Sequence, residues 1–166
     1  LWGSLLKFRR EFDQYVNLRP CRLMPGIPSP LANRKPGDID FYVVRENTEG
    51  FYADRNMAGG NGEILVTEDV GISMRRITYK CCERIARTAF ELAMQRGKHL
   101  TLVHKHNVLK ITDGIFLDAC HAVAKDFPEV KVDDFIVDAM MAHVVRNPAR
   151  FDVIVTTNMF GDILSD

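Results

Sequence analysis

Apolar positions along the chain recur with two alternating periods, one of helices and one of strands. Over residues 1–16 the pattern L-W-x-x-L-L-x-F-x-x-x-F sets Leu1, Leu5, Phe8 and Phe12 near one helical face. The stretch "RPCRLMPGIPSPLANRKPGD" then carries five prolines and two glycines, which predicts a long irregular connector. "IDFYVVREN" reads as a buried strand that ends on Arg45, Glu46 and Asn47. In "GGNGEILVTEDV" the Asn61-Gly62 turn signal precedes a second apolar run, so residues 54–70 are expected to form a hairpin or an extended arm.

Helical spacing resumes over residues 72–95, with Ile77, Cys81, Ile85, Ala89 and Leu92 on one face and Gly97 beyond the end. "HLTLVHK" is a strand that delivers Lys105 at its end, and Thr112 with Asp113 opens a helix that Pro128 breaks. "VKVDDFIVDAMM" reads as a strand with Asp138 at its tip, followed by a short helix over residues 140–145 that Asn147-Pro148 closes. "FDVIVTTN" is the last strand, and Gly161 opens a helix holding Asp162 and Asp166. Strands alternating with helices predict an α/β architecture, a mixed and partly parallel sheet with flanking helices and a protruding arm.

Charge narrows the field of partners. Twenty-two basic and twenty-two acidic residues cancel over 166 residues, leaving no global field for nucleic acid or an anionic membrane surface. No apolar run approaches the roughly 20 residues that span a bilayer. The four cysteines, Cys21, Cys81, Cys82 and Cys120, form no CxxC pair, which fits packing roles in a reducing, cytoplasmic setting. A first residue other than Met and a last residue within an apparent helix give the expectation of a segment from a longer protein.

Four strand ends carry charge: Arg45, Lys105, Asp138 and the Asp162/Asp166 pair. Ligands of open α/β sheets bind at the carboxyl ends of strands, so these groups point to one site drawn from distant segments. Asp162 and Asp166 stand at i and i+4, one turn apart on one helical face. Such pairs are often a solvated surface, yet with Asp138 they also make a hard-oxygen set suited to Mg²⁺ or Mn²⁺. Arg9, Arg19 and Arg45 flank apolar segments, and guanidinium forks match carboxylates. Tyr52 and Lys105 are candidate proton-transfer groups, since a lysine beside other cations loses pKa and can act as a base. The five histidines show no metal-binding spacing, and Gly59, Gly60 and Gly62 do not follow GxGxxG.

Together, "FRREFDQYVNLRP", "DFYVVRENTEGFY", "HKHNVLK" and "IVDAMMAHVVRNPARFDVIVTTNMFGDILSD" resemble the metal-dependent decarboxylating dehydrogenases of β-hydroxyacids, the isocitrate/isopropylmalate dehydrogenase family. The resemblance spans nearly the whole chain and implies an isopropylmalate-dehydrogenase-like fold. Residues 1–15 would close a first, cofactor-side domain, and residues 16–166 would form a second domain with the dimer interface. By the same resemblance Arg9, Arg19 and Arg45 hold the carboxylates of a malate-type 2-hydroxy dicarboxylate. Tyr52 protonates the enol after carbon dioxide leaves, Lys105 assists removal of the hydroxyl proton, and Asn107 lies near the nicotinamide of NAD or NADP. Asp138, Asp162 and Asp166 bind Mg²⁺ or Mn²⁺, with Lys105 and Asp138 reaching into the partner's site of a homodimer. Leu5 and Leu6 resemble the apolar substrate lining of isopropylmalate enzymes, whereas the opening segment looks most like tartrate/D-malate enzymes; isocitrate is disfavoured. The competing expectation is a non-catalytic regulatory or dimerisation subunit, or a truncated homologue, against which stands the presence of all the matched catalytic, arginine and aspartate positions.

Overall fold

The computed structural model describes residues 2–52 and 62–166, apart from the side chains of residues 2, 3, 5 and 6. Helix α1 (Trp2–Glu11) leads into β1 (Val16–Arg22) and β2 (Asp40–Glu46). A ribbon of β3 (Glu63–Thr67) and β4 (Val70–Ser73) follows, then α2 (Tyr79–Met94), β5 (His99–His104) and α3 (Thr112–Ala124). The remainder is β6 (Lys131–Ile136), α4 (Val137–Arg146), a 3₁₀ turn, β7 (Val153–Thr156) and α5 (Asn158–Ser165). The main sheet has the order β1-β2-β7-β5-β6. Its four strands β2, β7, β5 and β6 are parallel, and β1 pairs antiparallel to β2 at the edge.

Successive strand residues point to opposite faces, and both faces of this sheet are covered. Val44, Leu100, Leu102, Val153 and Val155 are buried with Ile85, Phe90 and Phe116 of α2 and α3 on one side. Val43, Val103 and Ile154 are buried with Met140 of α4 and Leu164 of α5 on the other. Phe90 and Phe116 have no exposed surface, so truncating either to Ala is expected to cost about 3–5 kcal/mol. Cys82 and Cys120 are buried in the α2/α3 layer, and that burial pushes both thiols far above the ordinary cysteine pKa, consistent with packing roles.

Several expectations change. The proline-rich stretch begins inside β1, where Pro20 sits opposite Tyr42; an edge strand hydrogen-bonds on one side only and tolerates the missing N–H. The first helix stops at Glu11, two residues before Asp13 with φ 42°, and Phe8 within it and Phe12 just beyond it are exposed and stacked on each other. The helix expected from residue 72 starts at Tyr79, because residues 70–73 pair with β3 and the Thr78 hydroxyl caps the Cys81 N–H. The arm exists as the β3–β4 ribbon, but it reverses at Glu68-Asp69; Asn61 and the rest of residues 53–61 lie outside the described residues. Finally, β6 ends at Ile136, which places Asp138 in the first turn of α4, and α5 opens at Asn158, ahead of Gly161.

Candidate functional site

Strand register brings the candidate groups to one edge of the sheet. Arg45 pairs with Thr156 at the end of β7, Thr156 with Val103 in β5, and His104 with Ile136 at the end of β6. The carboxyl ends of all four parallel strands therefore lie together, with Lys105 and Asp138 just beyond β5 and β6. Parity decides the face. Arg45 shares its side of β2 with Phe41 and Val43, the side covered by α5, and Arg19 of β1 pairs with Val43 on that same side.

Arg45 is 4% exposed and wholly engaged. Its Nε and Nη2 donate to Oδ1 of Asn158 at 2.9 and 2.7 Å, and its Nη1 donates to Oδ1 of Asp162. Burial lowers the Arg45 pKa; the Asp162 carboxylate opposes that, while the charges of Arg19 and Arg9 add to it. Arg19 spans the two acids of α5, with Nη2 2.9 Å from Oδ1 of Asp162 and Nη1 2.9 Å from Oδ1 of Asp166. The Tyr52 hydroxyl donates to Oδ2 of Asp162 at 3.3 Å, and its ring lies 5.9 Å from the Arg45 guanidinium. Arg19, Arg45, Tyr52, Asp162 and Asp166 thus form one cluster.

Two buried glutamates hold the turn that brings Tyr52 there. Glu46 accepts from the Thr48 and Glu49 amides at 2.9 Å, and Glu49 accepts from the Thr78 amide and hydroxyl at 2.9 and 3.0 Å. Burial raises the Glu49 carboxyl above its ordinary pKa. The Glu49 carbonyl accepts from Nδ2 of Asn158 at 2.9 Å, so the turn, Asn158 and Arg45 are linked in series. Gly50 has φ 92°, a conformation that favours glycine, with its missing Cβ 3.3 Å from Cβ of Asn158.

Lys105 and Asp138 make a separate pair, with Nζ 2.6 Å from Oδ1 of Asp138. The lysine hydrogen bond holds the exposed Asp138 carboxyl below the usual range. Arg9 is half-buried in the last turn of α1 and lines an open cavity of about 460 Å³ with Tyr15, Asn17 and Asn47. Asn107 is exposed in the turn after β5. The Leu5 side chain lies outside the described residues.

Among the described residues no three His, Cys, Asp or Glu side chains gather as one metal set. The donors nearest to one are Asp162 and Asp166, two carboxylates one helical turn apart whose charge Arg19 and Arg45 balance. Their hard-oxygen chemistry fits Mg²⁺ or Mn²⁺, which are held by one or two carboxylates while keeping positions for water and substrate. Asp138 is engaged elsewhere in the same chain, with Lys105.

Asn158, Gly161, Glu46 and Glu49 escape sequence reasoning. A Cβ at Gly161 would come 2.7 Å from Cγ of Arg45, so the glycine is needed for the arginine stem to pass. The only signal in the sequence is the small residue one place before Asp162.

A family model described as isocitrate/isopropylmalate dehydrogenase matches residues 2–166. The D-malate dehydrogenase [decarboxylating] of Escherichia coli (strain K12) is 52% identical over 170 residues, which cover 100% of this chain and 45% of that protein. A 3-isopropylmalate dehydrogenase of Corynebacterium aurimucosum is 50% identical, covering 99% and 47%. The tartrate dehydrogenase/decarboxylase of Pseudomonas putida is 48% identical, covering 100% and 45%. The crystal structure of isocitrate dehydrogenase from Methylococcus capsulatus superposes with a TM-score of 0.83 at 41% identity, over 97% of this chain and 45% of that one. The chain therefore spans about half the length of the curated relatives it matches.

Proposed function

Since the chain belongs to the isocitrate/isopropylmalate dehydrogenase family, we propose that the whole protein is an NAD(P)-dependent, Mg²⁺- or Mn²⁺-requiring enzyme that oxidatively decarboxylates a malate-type 2-hydroxy dicarboxylate. The observation that carries this reading is the cluster of Arg19, Arg45, Tyr52, Asp162 and Asp166 at the carboxyl edge of the sheet. Two guanidiniums beside two carboxylates suit a ligand that brings carboxylates for the first and a divalent cation for the second.

Asp162 and Asp166 would hold the metal, with Asp138 of a second copy as third ligand. Arg9, Arg19 and Arg45 would bind and orient the substrate carboxylates, releasing Asp162 from its arginine partners as they do so. When bound, the metal supplies Lewis-acid polarisation of the substrate hydroxyl and NAD(P)⁺ accepts the hydride. Lys105 would take the hydroxyl proton, and Tyr52, already donating toward the acid pair, would return a proton to the substrate carbon after carbon dioxide departs. Asn107 would lie near the nicotinamide.

A homodimer follows from the same reading. Within one chain Lys105 and Asp138 bond to each other, which suits residues serving a neighbour's site. The β3–β4 ribbon also exposes Ile64, Leu65, Val66, Val70 and Ile72, and an isolated two-stranded ribbon needs such residues covered to be stable. Residues 1–15 would belong to a cofactor-side domain and residues 16–166 to the domain bearing the interface. A cytoplasmic location belongs to the same proposal; among the described residues no helix is long and apolar enough to cross a membrane.

The test is turnover by the full-length protein with Mn²⁺ and either nicotinamide cofactor, offered D-malate, tartrate, 3-isopropylmalate and isocitrate in turn. Rising reduced-nicotinamide absorbance with one of the first three supports the proposal. No turnover of any substrate favours the non-catalytic alternative.

A further inference from the structure

Arg75 lies between β4 and α2, outside every group assigned above, and its side chain is only 6% exposed. Its guanidinium touches three segments at once. Nη1 donates to Oδ1 of Asp113 at 2.5 Å and to the Thr112 hydroxyl at 2.6 Å, at the start of α3. Nη2 donates to the Thr157 hydroxyl at 3.0 Å, the residue that precedes α5. The cation also stands 5.7 Å from the centre of the Phe51 ring and 5.3 Å from that of Phe160.

Each contact leads to a proposed catalytic group. Asp113 has no exposed surface, and its second oxygen accepts the Lys105 backbone N–H at 2.5 Å, fixing the chain where the lysine departs from β5. Thr157 and Phe160 belong to the segment that carries Asp162 and Asp166. Phe51 immediately precedes Tyr52. Asp113 therefore does not cap its own helix from outside: α3 begins after Ile111 without a side-chain cap, while the carboxylate is turned inward. A buried carboxylate satisfied by one arginine and one backbone amide is costly to disturb, so its geometry is firmly held.

We infer that Arg75 is a positioning residue that, through Asp113, Thr157 and Phe51, holds the Lys105 loop, the acid helix and the Tyr52 turn in one fixed arrangement. The inference rests on the proposed function for what is being positioned, while the holding itself is a property of this chain's own contacts. Where Lys105 serves a neighbouring subunit and Asp162 its own, Arg75 is also the link between the two sites.

The test uses the full-length protein with Arg75→Lys, which keeps the charge but loses the fork that reaches all three segments, and Asp113→Asn, which keeps the shape. Amide hydrogen exchange is followed by mass spectrometry. Both variants should exchange residues 105–111 at least about tenfold faster than wild type, with residues 99–104 of β5 unchanged. In turnover, kcat should fall about 10- to 100-fold, the range for a catalytic group displaced by about 1 Å, with the substrate KM within about twofold. Unchanged exchange at residues 105–111, equal acceleration throughout β5, or an unaltered kcat overturns the inference. Should the wild type turn over none of the four hydroxyacids, the functional reading fails, and the exchange measurement still decides whether Arg75 holds the loop.

Discussion

The Cγ of Arg45 occupies the space that a side chain at Gly161 would require, 2.7 Å from the ideal Cβ position. Strand β2 can thus aim a buried arginine across the first turn of α5 only while residue 161 lacks a side chain. Gly161→Ala should displace Arg45 from Asn158 and Asp162. A hydrogen bond to a charged group contributes about 1.5–3 kcal/mol, so substrate KM should rise about 10- to 100-fold. Steady-state kinetics on the full-length enzyme checks this, and an unchanged KM would separate Arg45 from substrate binding.

Asp162 accepts from Arg19, Arg45 and Tyr52, so its removal should be felt in two ways. Asp162→Asn should weaken Mn²⁺ binding, read as free Mn²⁺ by electron paramagnetic resonance, by at least about tenfold, because a neutral amide is a poorer ligand for a hard cation. It should also lower unfolding stability by about 1–3 kcal/mol, less than for a fully buried pair because Asp162 is 30% exposed. Mn²⁺ binding equal to wild type would reduce the acid pair to a structural role.

Lys105 and Asp162 offer a test of subunit sharing. Lys105→Met and Asp162→Asn homodimers should each be inactive; if Lys105 serves the partner's site as proposed, a mixed dimer would place both lesions in one site and leave the other intact. Co-refolding the two variants should restore activity toward one quarter of wild type for random pairing, half of the chains entering mixed dimers with one good site each. Persisting inactivity of the mixture would place both residues in the same subunit's site.

Glu49 supplies a pH signature. Its carboxyl is buried and its pKa is raised, so the folded chain holds the proton more tightly than the unfolded one, whose value is near 4.5. Its contribution therefore favours folding at acid pH and declines as pH rises above that value. Glu49→Gln removes the dependence, so the variant's Tm minus that of wild type should become more positive from about pH 5 to pH 7.5. A difference that stays flat or turns more negative would show that the ionised carboxylate is well accommodated.

The sequence revealed the layered fold because strands such as "VIVT" and helices such as residues 79–94 have distinct periods, and it revealed the charged strand ends because polar groups interrupt apolar runs there. β1 was hidden by Pro20, whose cost vanishes at a sheet edge that only the topology identifies. β4 was hidden by Ile72, which suits either a helix or an exposed ribbon. In the site, the α5 acid pair was legible from its spacing. The roles of Asn158, Gly161 and Arg75 were not, because each depends on a partner far away in sequence: Arg45 for the first two, Asp113 for the third.

The most direct test of oxidative decarboxylation is the ratio of carbon dioxide released to nicotinamide reduced, measured on one sample of the full-length enzyme with Mn²⁺ and its best hydroxy dicarboxylate. The expected ratio is one to one, with both products lost when EDTA removes the metal. Nicotinamide reduction without carbon dioxide would contradict it.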